Sequence, residues 1–180
     1  MIKRSWLAFL PLIIFALIVV AFGVALRHSG TEAPKFAQHV NEPAPVTELP
    51  ILDSSQARFA TKDWRGHAYL VNFFASWCVP CRSEHAALME LAITSGLPII
   101  GIAYKDKPET VASFLEKGGN PFRTVAEDRG GRTGIDWGIT GVPETFLIDA
   151  EGVIRFHAVG PLTDDIINRE LLPIWSEVKG

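Results

Sequence analysis

Two cysteines three positions apart, at the junction of a buried strand and a helix, constrain this chain more than any other feature. Cys78 and Cys81 are its only cysteines, which excludes a scaffold held by several disulfides. Before them, Ala68 to Phe74 (AYLVNFF) is an apolar run rich in aromatic and branched residues, the pattern of a buried strand. From Cys78 to Thr94 the spacing becomes helical, with Cys81, His85, Leu88 and Ala92 on one face. The motif Trp77-Cys78-Val79-Pro80-Cys81 therefore opens a helix. A cysteine there meets the free N–H groups and the positive dipole end of the helix, which favour thiolate, the attacking species. Cys78 is expected to be exposed at the turn, with Cys81 one turn in beneath it. This predicts a division of labour in which Cys78 attacks a target disulfide and Cys81 resolves the mixed disulfide. Val79 and Pro80 restrict the loop and help set the redox poise.

Other uses of the pair fit less well. A structural bridge closing so short a loop would remove little unfolded-state entropy. Cys78, Cys81 and His85 have metal-ligand spacing, but structural zinc needs a fourth ligand and there is no second cysteine pair. Attachment of c-type haem needs a histidine directly after the second cysteine, where Arg82 stands.

Downstream, Pro98–Tyr104 reads as a second buried strand and Pro108–Lys117 as a helix closed by Gly118-Gly119. Phe122–Ala126 reads as a short strand and Arg132–Trp137 as a helical turn. Thr145–Asp149 and Val153–Val159 flank a hairpin signal, and Asp164–Val178 reads as a final helix. Strands alternating with helices predict an α/β fold with parallel central strands, and the hairpin adds antiparallel edges.

Trp6 to Leu26 is 21 residues without a charge, long enough as a helix to span about 30 Å of hydrocarbon. Lys3 and Arg4 precede it, which orients the amino end toward the cytoplasm and exports the remainder. A signal peptide cleaved near Gly23-Val24-Ala25 is the alternative, but its apolar region is ordinarily shorter, about 7–15 residues. The expected organisation is an anchor over residues 1–27, a proline-containing spacer over 28–50 (Pro34, Pro43, Pro45, Pro50) and a catalytic domain over 51–180. Beyond residue 35 the chain has 13 basic and 19 acidic residues, a net of −6, so no basic stripe suits nucleic acid.

The strand followed by Trp-Cys-x-x-Cys resembles the thioredoxin superfamily. Further stretches resemble its membrane-anchored, thioredoxin-like cytochrome c biogenesis branch, the CcmG/DsbE family. They are Val71–Cys78 (VNFFASWC), Arg82–His85 (RSEH), Gly101–Asp106 (GIAYKD) and Gly141–Asp149 (GVPETFLID). The resemblance covers nearly the whole chain, and the last stretch is its most specific part. It implies a thioredoxin-like fold, a central mixed sheet flanked by helices, with an N-terminal transmembrane helix. It also implies that Pro143 follows a cis bond and faces the cysteines. Val142 would then offer backbone groups to an extended target chain.

The family pattern further implies that Glu84 and Glu144 form an acidic rim near the cysteines, where negative charge raises a thiol pKa. The plain alternative for Glu84 is a solvated charge at a helix start. Asn72 stands where ordinary thioredoxins carry a buried aspartate and cannot take the Cys81 proton; Glu84 could. His85 is expected to be a partly buried helix residue, and Trp77 to pack beside the cysteines and shape the contact surface. Trp64 and Trp137 are expected in packing, and Asp149 in a turn.

These readings converge on a periplasmic thiol:disulfide oxidoreductase, single-pass in a bacterial inner membrane, with no cofactor beyond Cys78 and Cys81. By resemblance its targets are apocytochrome c cysteines, in Cys-x-x-Cys-His segments, or their thiol carrier. Its electrons would come from a membrane thiol reductase of the DsbD/CcdA type. A reductase for copper-centre thiols and a thiol-based metal carrier are the alternatives.

Overall fold

The computed structural model describes residues 10–28, 39–54 and 56–179, in two units that divide at the Ala33–Pro34 junction. The first unit holds helix α1 (Leu10–His28), whose side chains from Leu10 to Val24 are all exposed. Among the described residues, no helix is long and apolar enough to cross a membrane. The expected span starts at Trp6, which lies outside the described residues.

In the second unit, β1 (Glu48–Pro50) pairs antiparallel with β2 (Arg58–Ala60). A 3-10 turn at Thr61–Trp64 leads on to β3 (Tyr69–Phe74), α2 (Val79–Ser95), β4 (Ile99–Tyr104), α3 (Pro108–Gly118) and β5 (Thr124–Asp128). The short helix α4 (Arg132–Asp136) precedes the hairpin β6 (Glu144–Ile148) and β7 (Ile154–Val159). The main sheet has the order β5-β4-β3-β6-β7, parallel among β3, β4 and β5 and antiparallel at β6 and β7. This is the expected mixed thioredoxin-like sheet.

Strand alternation builds two cores. Leu70 and Phe74 of β3 face one cluster with Leu88, Leu91 and Leu115 of the helices. Tyr69, Val71 and Phe73 face the other, with Ile100, Ile102, Trp137 and Phe146. Trp137 packs edge-on against Phe73 and Phe146, and its Nε1–H donates to Thr47 Oγ1 at 2.8 Å. Gly101 in β4 is required by close approach, because a Cβ there would lie 2.8 Å from Phe122 Cγ.

Three boundaries differ from the sequence reading. Residues 39–50, expected in the spacer, belong to the domain: β1 lies there, Pro43 bridges Val153, and the Asn41 N–H donates to the Ile154 carbonyl at 2.8 Å. Prolines favour extended chain, and extended chain can add to a sheet edge where the missing N–H is not needed. The expected strand at Phe122–Ala126 starts at Thr124, because Phe122 turns inward to stack on Phe74 at 4.6 Å. The expected last helix is α5 (Asp164–Ile166), a π-helical turn (Ile167–Leu171) and α6 (Leu172–Val178). Pro173 has no N–H to donate and its ring crowds the preceding turn, which the wider turn relieves.

Candidate active site

β3 ends at Phe74, and four residues later Cys78 caps α2: its Sγ accepts the Cys81 N–H at 3.1 Å. Pro80 sits in the first turn, where a missing N–H is harmless. Cys78 and Cys81 form a disulfide with Cα atoms 5.3 Å apart. Contrary to expectation, Cys78 is as covered as Cys81, at 3% and 2% exposure. Trp77 is 55% exposed, with its Nε1–H donating to the Lys105 carbonyl at 3.3 Å. With exposed Val79 and Pro80 it makes an apolar rim around the sulfurs.

The Val142–Pro143 bond is cis, and Pro143 is buried. The Val142 carbonyl oxygen lies 3.4 Å from Cys78 Sγ, so the loop before β6 forms the opposite wall of the site.

Glu84 and Glu144 do not form a rim. Each is 1% exposed, and they lie on opposite faces of the sheet. Asn72 pairs with Thr145 across β3 and β6, on the face that receives α2. There, Asn72 Nδ2 donates to Glu84 Oε1 and to Thr145 Oγ1, each at 3.0 Å, and the Leu162 N–H donates to Glu84 Oε2 at 2.8 Å. Burial pushes the Glu84 carboxyl up to about 7, against the opposing pull of the Leu162 and Asn72 hydrogen bonds. Glu84 and Cys81 are three residues apart, on one face of α2. Asn72 Oδ1 is buried without a hydrogen-bond partner.

Glu144 pairs with Phe73, facing the other core. Its Oε1 accepts the Thr140 N–H, the Thr140 hydroxyl and the Gly141 N–H at 2.6, 2.8 and 3.1 Å. His157 Nε2 donates to Oε2 at 2.8 Å, and its ring stacks on Phe146 at 4.1 Å. Burial opposes ionisation here, but the hydrogen bonds from His157, Thr140 and Gly141 prevail and hold the carboxyl below its ordinary value. Glu144 therefore clamps the chain leading to Val142. Thr140, Thr145 and His157 were not singled out in the sequence: strand register brings Thr145 to Asn72 and His157 to Glu144, while Thr140 reaches Glu144 within the turn that precedes β6.

His85 is buried, with Nε2 3.0 Å from the Gly119 carbonyl oxygen and its ring edge-on to Phe114. Asp149 is a turn residue that is also buried: it accepts the Val153 N–H at 2.8 Å and pairs with Arg155 at 2.5 Å. A cleft of about 560 Å³ opens beside Ser76, lined by Arg82, His85, Phe114 and Lys117. Neither cysteine lines it.

The Redoxin family model matches residues 29–171. This chain belongs to the Redoxin family. It is 40% identical over 169 residues to the thiol:disulfide interchange protein HelX of Rhodobacter capsulatus, covering 93% of this chain and 94% of that one. It is 37% identical over 178 residues to the thiol:disulfide interchange protein DsbE of Yersinia pestis, covering 97% and 94%. A crystal structure of a thiol:disulfide interchange protein of the thioredoxin family from Chlorobium tepidum superposes with a TM-score of 0.58 at 29% identity, covering 80% of this chain and 99% of that one. The Redoxin fold, the DsbE-type relatives and the Cys78–Cys81 pair at the head of α2 make the protein a thiol:disulfide oxidoreductase.

Proposed function

We propose that this protein is a periplasmic electron donor, held at the inner membrane by its amino-terminal helix. Its targets are the Cys-x-x-Cys-His cysteines of apocytochrome c or the carrier that holds them. A membrane thiol reductase of the DsbD/CcdA type recharges it, and no cofactor is needed because both electrons reside on Cys78 and Cys81. The Cys78 thiolate attacks one sulfur of the target disulfide; that bond breaks and the other target sulfur leaves as thiolate. Cys81 gives its proton to Glu84 and attacks Cys78 Sγ, releasing the second target thiolate. The target disulfide gains two electrons, the Cys78–Cys81 pair loses two, and the target thiolates take up two protons.

The observation that carries this reading is a disulfide capping α2 against the Val142 carbonyl, with a carboxyl poised near neutrality three residues beyond Cys81. The exposed apolar side chains of α1, with Lys3 and Arg4 upstream, support the anchor. The test is a Cys81→Ser variant of the full-length chain, which stalls at the mixed disulfide. Capture of apocytochrome c or its thiol carrier through Cys78 supports the assignment. Capture of a copper-centre protein instead would transfer the activity to that target, and no capture would refute the donor role.

A further inference from the structure

The loop between β4 and α3 reaches across to the turn that presents Cys78. Asp106 Oδ2 accepts the Ser76 N–H at 2.6 Å. On its other side, the Ser76 carbonyl accepts from Arg82, at 2.8 Å from Nη2 and 3.3 Å from Nε. The next residue, Trp77, is tied by its indole to the Lys105 carbonyl. Two consecutive loop residues, Lys105 and Asp106, thus grip the two residues directly before the cysteine. Lys105 adopts φ +48° to do so, in the left-handed region that non-glycine residues rarely occupy. The other oxygen of Asp106 accepts the Lys107 N–H at 2.7 Å and the Thr110 hydroxyl at 2.6 Å, binding the same carboxylate to the first turn of α3.

We propose that Asp106 is a positioning residue for thiol–disulfide exchange: its carboxylate fixes the Ser76–Trp77 segment from which Cys78 is presented and holds a negative charge beside that turn, restraining ionisation of the Cys78 thiol. A nearby negative charge disfavours a thiolate, whereas the helix end and Arg82 favour it. Lys105 and Lys107 flank Asp106 on its own loop, and Glu84 lies on α2. Burial opposes ionisation of Asp106, but hydrogen bonds from Thr110, Ser76 and Lys107 outweigh it and hold the carboxyl below its ordinary value. The charge therefore persists at every pH where Cys78 exchanges. A partly restrained thiolate suits a protein that must keep its electrons for a chosen partner. The inference rests on the interchange chemistry of Cys78 and is independent of which target it reduces.

The test compares Asp106→Asn and Thr110→Ala in the reduced full-length chain. The asparagine removes the charge but keeps the size and one acceptor for Ser76. The alanine removes one hydrogen bond to the same carboxylate and leaves its charge. Cys78 ionisation is followed by ultraviolet thiolate absorbance and by alkylation rate against pH. Asp106→Asn is expected to shift the midpoint down, giving roughly three- to tenfold more thiolate at a pH below it, and to make the disulfide more oxidising. Thr110→Ala is expected to lower Tm and leave the titration unchanged. Asp106→Ser, a smaller neutral acceptor, gives the same reading if the asparagine is not accommodated in the fold. If the neutral variants titrate and alkylate as wild type, the proposal is wrong whatever happens to Tm. Failure of the cytochrome assignment would appear in the Cys81→Ser capture and not in this titration.

Discussion

Replacing Glu84 by glutamine isolates one buried carboxyl. Its pKa rises from an ordinary 4.5 to about 7 because burial penalises the charged form. An unfolded chain has lost this proton above pH 4.5 while the native protein keeps it until about 7. The native state thus binds more protons across that window, so stability falls as pH rises through it and the penalty is complete above the native value. At about 1.4 kcal/mol for each pH unit of the difference, the carboxylate costs roughly 3 kcal/mol at pH 8. The group is 1% exposed, so solvent screening does not reduce this much. Glutamine and the protonated acid are close in shape; each keeps one acceptor oxygen and puts a donor in place of the other, so both lose one of the two hydrogen bonds that the carboxylate accepts from Asn72 Nδ2 and the Leu162 N–H. Their stabilities should therefore nearly coincide around pH 4 and diverge upward, with Glu84→Gln the more stable by up to about 3 kcal/mol at pH 8. Urea unfolding of the oxidised full-length chain in mild detergent, repeated at several pH values, measures this difference. A constant difference between the two proteins from pH 4 to 8 would refute the reasoning.

Other perturbations follow from the same contacts. Glu144→Ala removes the acceptor for Thr140, Gly141 and His157 and should cost about 3 kcal/mol in urea unfolding at pH 7. Because this carboxyl is held below its ordinary value, its contribution is present above that value and is lost as pH falls through the lowered one; the wild type and the variant should converge in acid. Gly101→Ala forces a methyl toward the Phe122 ring and should destabilise by about 1–3 kcal/mol, read as a lowered Tm. Trp77→Ala should change stability by less than about 0.5 kcal/mol, since the ring is mostly exposed. It should leave reduction of a small aromatic disulfide intact while slowing reduction of a protein target.

Much of the fold could be read directly from the chain, for physical reasons. β3, α2, β4 and α3 have strong apolar periodicity and clear ends, and they stand within a residue or two of where periodicity puts them. The cysteine pair was legible because a helix start is written locally. The placement of Glu84 and Glu144 was not: which face of a sheet a carboxylate meets depends on β3–β6 register, a relation between residues some seventy positions apart (Asn72 and Thr145 are separated by 73). His157 carries no local signal for the same reason. The prolines before β1 read as spacer because their extended preference is shared by linkers and edge strands, and only the partner strand decides between them. Asp106 lay within a stretch that already stood out, yet its task depends on a loop folding back onto Ser76.

The central claim is that Cys78 and Cys81 form a dithiol that gives electrons away. Its most direct test is the equilibrium reduction potential of that pair in the full-length protein, titrated against a glutathione redox buffer. A value of about −200 to −270 mV, in the range of glutaredoxins and thioredoxin, is the expected result. A value near about −120 mV, that of a strong disulfide donor, would contradict the account and reverse the direction of electron flow.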